Sequence, residues 1–143
     1  NYALREKIMY AATMALNNLT AYGRKNGDWG VHAIGHVLSV LFDTPHGATL
    51  SIAFPAWLKL NSARLKDRIE ELGKNVFDTN SVDDTIFELE NFFASVESPI
   101  RIRDIGIENK EREIFDLMVS NGVNGNHIRL EKDDYRKLIE LMA

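Results

Sequence analysis

Three of the chain's four histidines, His32, His36 and His46, fall in one short stretch, GDWGVHAIGHVLSVLFDTPHG, from Gly27 to Gly47. Positions four apart on a helix lie one turn apart on the same face. Asp28, His32, His36, Ser39 and Asp43 therefore form a polar stripe, with Val31, Ile34, Val37, Leu38 and Leu41 filling the opposite arc. His46 follows a Pro turn and can fold back over the stripe. Imidazole nitrogens suit zinc, iron, copper and nickel, and added carboxylates favour iron(II) or zinc. The spacing HAIGH is not the zincin motif, since Ala33 stands where the catalytic glutamate would be. Spacing alone leaves two readings open: a metal or catalytic site, or a helix face of solvated and hydrogen-bonded histidines.

The elements that must position these groups are helical. Leu4, Ile8, Ala12, Ala15 and Leu19 recur at helical spacing and predict a first helix over 2–22, closed by Gly23 and the polar run RKNGD. A second helix starts near Asp28 as N-cap and ends at Phe42, where Asp43-Thr44-Pro45 breaks it. The segment ATLSIAFPAWLKL gives a third helix that Pro55 should kink or divide. RLKDRIEELGKNVF continues as helix to about Gly73. Ser81-Val82-Asp83-Asp84 resembles a capping box opening a helix with Ile86, Leu89, Phe93 and Val96 on one face. SPIRIRDIGI is the only plausible extended piece. Helices over 109–120 and 131–142 follow, with turns at Asn121-Gly122 and Gly125-Asn126 between them. The expectation is one all-α domain, a bundle of six or seven helices without internal repeats.

Composition narrows the function classes. At 143 residues, 45% apolar and 27% charged, the chain has the size and balance of one soluble globular domain. The absence of cysteine excludes disulfides, thiolate metal sites and cysteine nucleophiles, and points to a reducing cytoplasm. A net charge of -4, with Lys and Arg scattered among acids, argues against nucleic acid as partner. No apolar run reaches membrane-spanning length, and no signal peptide is visible. The chain opens NYALREKIMYAA, without an initiator Met and already in helical rhythm, which reads as a piece of something longer. Among the remaining residues, Trp29 and Trp57 read as core rather than pocket, and Phe92 and Phe93 as packing. Asp28 reads as a cap rather than a catalytic group, and His127 as a surface residue in a Gly/Asn-rich turn. RLKDRIEEL and ENKEREIFD read as solvated faces with i,i+4 pairs.

The stretch GDWGVHAIGHVLSVLFDTPHGATLSIAFPAWL resembles the C-terminal signature of the iron-containing, or group III, alcohol dehydrogenases of the butanol dehydrogenase type. Gly27-Asp28-Trp29, His32, His36, Leu38-Ser39, Asp43, His46-Gly47, Leu50, Pro55 and Trp57 carry it. The resemblance implies a dehydroquinate synthase-like architecture with two parts. An N-terminal α/β domain binds NAD(P)H, and a C-terminal all-α domain holds Fe2+ or Zn2+ in the cleft between them. It implies metal ligation by one Asp and three His, the last two mapping onto His32 and His46. It implies for His36 a catalytic place near substrate and nicotinamide, on a proton path rather than on the metal. The implied reaction is hydride transfer between nicotinamide and an alcohol or aldehyde carbon.

The chain departs from the family pattern in lacking a glycine-rich dinucleotide signature and an Asp-x-x-x-His segment. The expectation is half a metal site, no cofactor domain, no dehydrogenase activity in the piece alone, and weak or no metal binding. Its partners would be its own N-terminal domain, a small alcohol or aldehyde, and a second copy in a homodimer. Two alternatives stand beside this reading: a non-enzymatic helical interaction module, and a zinc-dependent relative of the glycerol dehydrogenase type. A self-contained module should bury its apolar faces and leave the histidines pointing apart, whereas a catalytic domain should gather them beside an exposed apolar face.

Overall fold

A computed structural model describes residues 1–23 and 26–143. Seven α-helices make up the fold, and no strand occurs among the described residues. They are α1 (Tyr2–Leu16), α2 (Gly30–Phe42), α3 (His46–Leu60), α4 (Ser62–Leu72), α5 (Val82–Ser95), α6 (Glu111–Asn121) and α7 (Lys132–Met142). Arg24 and Lys25, part of the polar run expected to close the first helix, lie outside the described residues. That helix ends earlier than its periodicity suggests. Asn18 takes a left-handed conformation (φ 65°), and a short 3-10 turn over Leu19–Ala21 follows.

α3 is the central element, packed on α2, α5 and α7. Pro55 does not divide α3, since the helix runs on to Leu60 and the break falls at Asn61. A proline inside a helix costs about 3 kcal/mol. Here both flanks are held by burial, with Ile52, Ala53, Pro55, Ala56, Trp57 and Leu58 all in the core. Asn61, itself buried, donates its side-chain amide to the Trp57 carbonyl at 3.0 Å, closing the end of α3 as α4 begins. α4 then passes into a π-helical turn over Gly73–Phe77.

Only half of the expected capping box before α5 forms: Ser81 Oγ accepts from the Asp84 N–H at 3.1 Å, and the Asp84 carboxylate takes the Ser81 hydroxyl rather than its backbone N–H. Ile86 and Leu89 are buried behind it, but Val96 lies past the helix end and is exposed. SPIRIRDIGI is not extended. Asp104 accepts the N–H groups of Ile100 and Arg101, which curls Ile102–Ile105 into a 3-10 turn. Glu90 fastens this segment to the core, meeting Lys59 Nζ of α3 at 2.7 Å and Arg101 Nη1 at 2.8 Å. Burial pushes the Glu90 carboxyl up, but hydrogen bonds and charge from Arg101 and Lys59 outweigh it and leave its pKa below the usual glutamate value. No helix among the described residues is long and apolar enough to cross a membrane.

Candidate functional site

The histidines come together where α2 meets α3, and two glycines allow that approach. At Gly30, the first residue of α2, a Cβ would lie 2.2 Å from Cη2 of the buried Trp57. At Gly35, between His32 and His36, a Cβ would meet Leu50, Thr49 and His46 at 3.0–3.2 Å. The two helices therefore close until the His46 ring, on the first residue of α3, lies over α2. Ser39, at the far end of the polar stripe, is tied to α3 through Thr49 Oγ1 at 3.3 Å.

His36 and His46 stack with ring centroids 4.5 Å apart and an interplanar angle of 13°. His32 and His46 meet edge to face at 5.3 Å. His46 is thus the hub of the cluster. Its Nδ1 is buried and has no hydrogen-bond partner, a state that folded proteins rarely leave without a reason. Burial, and then the neighbouring His36, lower the pKa of both His32 and His46, with His32 adding to the effect on His46. The shift favours the neutral ring, the form that ligates metals.

The carboxylates of the stripe do not join the histidines. Asp43 closes α2 in a left-handed conformation (φ 50°) and is exposed. Asp28 spends its carboxylate on backbone N–H groups: Gly30 at 3.2 Å, His127 at 2.8 Å and Ile128 at 2.9 Å. Its role as a cap at the start of α2 holds in part, although Trp29 occupies the N-cap position proper. Among the described residues, no group of three or more His, Asp or Glu side chains is placed to hold a metal ion. The unpartnered His46 Nδ1, with the His32 ring beside it, would supply at most part of the donor set of a metal centre, not the whole of one.

An apolar cleft of about 540 Å³ adjoins His32, lined among others by Trp29, Val31, Leu50, Phe54 and Phe93. The two tryptophans, read alike in sequence, separate here. Trp57 is core at 3% exposure, while Trp29 is 57% exposed and sets its ring edge-on to His32 at 4.9 Å. Phe93 both packs on the core and faces the cleft, whereas Phe92 is largely exposed. His127 is exposed, as its turn suggests, and bonds the Asn26 carbonyl oxygen at 2.7 Å. The link from Asp28 to the turn at 125–128 was invisible in the sequence, where the partners stand about a hundred positions apart; the paired Gly/Asn-rich loops were its only trace.

Residues 1–142 match the family described as "Fe-containing alcohol dehydrogenase family, C-terminal". The chain is 33% identical over 149 aligned positions to the probable NADH-dependent butanol dehydrogenase 1 of Bacillus subtilis, covering 98% of this chain and 38% of that protein. It is 30% identical to the NADPH-dependent aldehyde reductase YqhD of Escherichia coli, over 76% of this chain and 29% of that protein. The crystal structure of NADH-dependent butanol dehydrogenase A from Thermotoga maritima superposes with a TM-score of 0.90 at 32% identity, covering 100% of this chain and 40% of that one. The chain thus spans well under half the length of these relatives.

Proposed function

The chain belongs to the iron-containing alcohol dehydrogenase family, spanning its C-terminal part, and we propose on that premise that it forms the metal and substrate domain of an enzyme interconverting alcohols and aldehydes with NAD(P)(H). A companion dinucleotide-binding domain carries the nicotinamide and the remaining metal ligands. His32 and His46 contribute two neutral imidazole nitrogens to a divalent ion, iron(II) or, with the same ligands, zinc. Such an ion supplies Lewis-acid polarisation of the substrate oxygen. The cleft beside His32 receives the hydrocarbon part of the substrate and excludes water around it. His36 is the exposed member of the cluster, stacked on His46. In this reading it takes the alcohol proton on an imidazole nitrogen and releases it to solvent.

One observation carries this reading: three imidazoles converge from two helices, and the buried Nδ1 of His46 has no partner. An interaction module without catalytic chemistry gives no reason for that convergence.

The test uses the protein that carries this chain, assayed for metal content and NAD(P)H-dependent reduction of butanal. His32→Ala and His46→Ala should lose both metal and turnover. His36→Ala should keep its metal while turnover falls by roughly 10²-fold, the scale of a lost proton-transfer group. Full metal occupancy in the His32→Ala or His46→Ala variant would overturn the assignment.

A further inference from the structure

The sequence GDWG packs an unusual amount of constraint into four residues, and its target is His32. Trp29 is held at φ 65°, ψ 1°, a left-handed conformation that costs a bulky residue of order 1–3 kcal/mol and persists only where surroundings over-determine it. Those surroundings are two loops laced together. Asp28 takes N–H bonds from Gly30, His127 and Ile128. The Asn126 N–H donates to the Asp28 carbonyl at 2.5 Å, and the Asn126 side-chain amide to the Gly27 carbonyl at 2.8 Å. Gly125 leaves the room the carboxylate needs, since a Cβ there would lie 1.9 Å from Asp28 Oδ1. Gly27 leaves room for the indole, since a Cβ there would lie 3.2 Å from Trp29 Nε1. The indole so placed meets His32 at 4.9 Å with an interplanar angle of 75°.

We infer that Asp28 is a positioning residue: it clamps the α6–α7 loop onto the loop before α2 and thereby holds the Trp29 indole against His32, fixing the orientation of that imidazole. The inference deepens the metal-domain reading and rests on it only for its consequence, not for its geometry. A wandering His32 would meet an ion less well, because groups that orient a metal-bound histidine are worth roughly 10–100-fold in affinity. Among the described residues the His32 ring makes no hydrogen bond, so packing against Trp29 and His46 is what orients it.

The experiment reads the His32 imidazole C–H resonances by NMR in the metal-free form of the whole protein that carries this chain, then Co(II) affinity in the same samples. Trp29→Leu should abolish the indole ring-current displacement of His32 and so identify it. Asp28→Ala and Gly125→Ala, which break the clamp from opposite sides, should abolish it too, while the stacked His36–His46 pair keeps its signals. Asp28→Asn, which keeps one oxygen for the loop N–H groups but turns an amide donor toward the Gly30 N–H, should retain only part of it. Co(II) affinity should fall roughly 10–100-fold wherever the displacement is lost. Should both clamp variants fail to fold, Trp29→Leu, which leaves the clamp intact, still has to lower Co(II) affinity. Unchanged His32 resonances in a folded Asp28→Ala protein would overturn the inference, as would unchanged affinity in Trp29→Leu. Absence of Co(II) binding by the unaltered protein would sink the metal reading instead, and the resonances would still decide the clamp.

Discussion

α1 and α2 carry the same kind of signal, apolar residues at helical spacing, and meet opposite fates. In α2, Ile34, Val37 and Leu38 are at most 1% exposed, and the opposite face carries the histidines. In α1 no residue is buried, and Ile8 stands 67% exposed. Periodicity identifies which face of a helix is apolar; it says nothing of whether a covering surface lies within the same stretch of chain. α2 finds its cover in α3 and α6. The catalytic reading depends on that difference, because a helix must be fixed on one side to aim imidazoles from the other.

Four substitutions or conditions sharpen the contrast. Leu38→Ala should cost about 2–5 kcal/mol of stability, the range for deleting a fully buried leucine, read by denaturant unfolding. Next, Gly30→Ala should cost about 1–3 kcal/mol, because its methyl would overlap the Trp57 ring and no core space exists to absorb it. Thermal melting checks this, and an unchanged melting temperature would mean that α2 does not sit on Trp57.

A smaller effect concerns pH. His32 and His46 both have lowered pKa values, so between their folded values and the ordinary 6.5 the unfolded chain binds more protons than the folded one. The metal-free protein should accordingly hold its full stability above about pH 6.5 and lose it progressively as the pH falls below. A His32→Gln, His46→Gln double variant should flatten that slope, as followed by melting temperature against pH. The smallest change is expected in α1, where Ile8→Ala in this chain should stay within about 0.5 kcal/mol of the parent. A cost there matching that of Leu38→Ala would erase the contrast between the helices.

Much of this was legible from residue order. The helices after α1 fall close to where their apolar spacing places them, and the Ser81 half of the Ser81–Asp84 cap forms. The histidine cluster was legible as a possibility, because four-residue spacing followed by a Pro turn limits where His46 can go. The departures share a physical cause. Pro55 does not break α3, because burial on both flanks outweighs one lost backbone hydrogen bond. SPIRIRDIGI curls because Asp104 accepts two local N–H groups, an energy that alternation of side chains does not encode. Trp29, just before α2, and Trp57, within α3, are the same residue type, and only packing distinguishes the strained one facing His32 from the one in the core. The hold of Asp28 on the turn at 125–128 joins residues a hundred apart, beyond the reach of any local pattern.

The central claim is that His32 and His46 are two ligands of one ion, with His36 beside it. Anomalous scattering at the iron and zinc edges from crystals of the metal-loaded protein that carries this chain tests it most directly. The account predicts one peak about 2.1 Å from a ring nitrogen of both His32 and His46, with both His36 nitrogens outside bonding distance. A peak that touches neither His32 nor His46, or that His36 ligates in place of one of them, would contradict it.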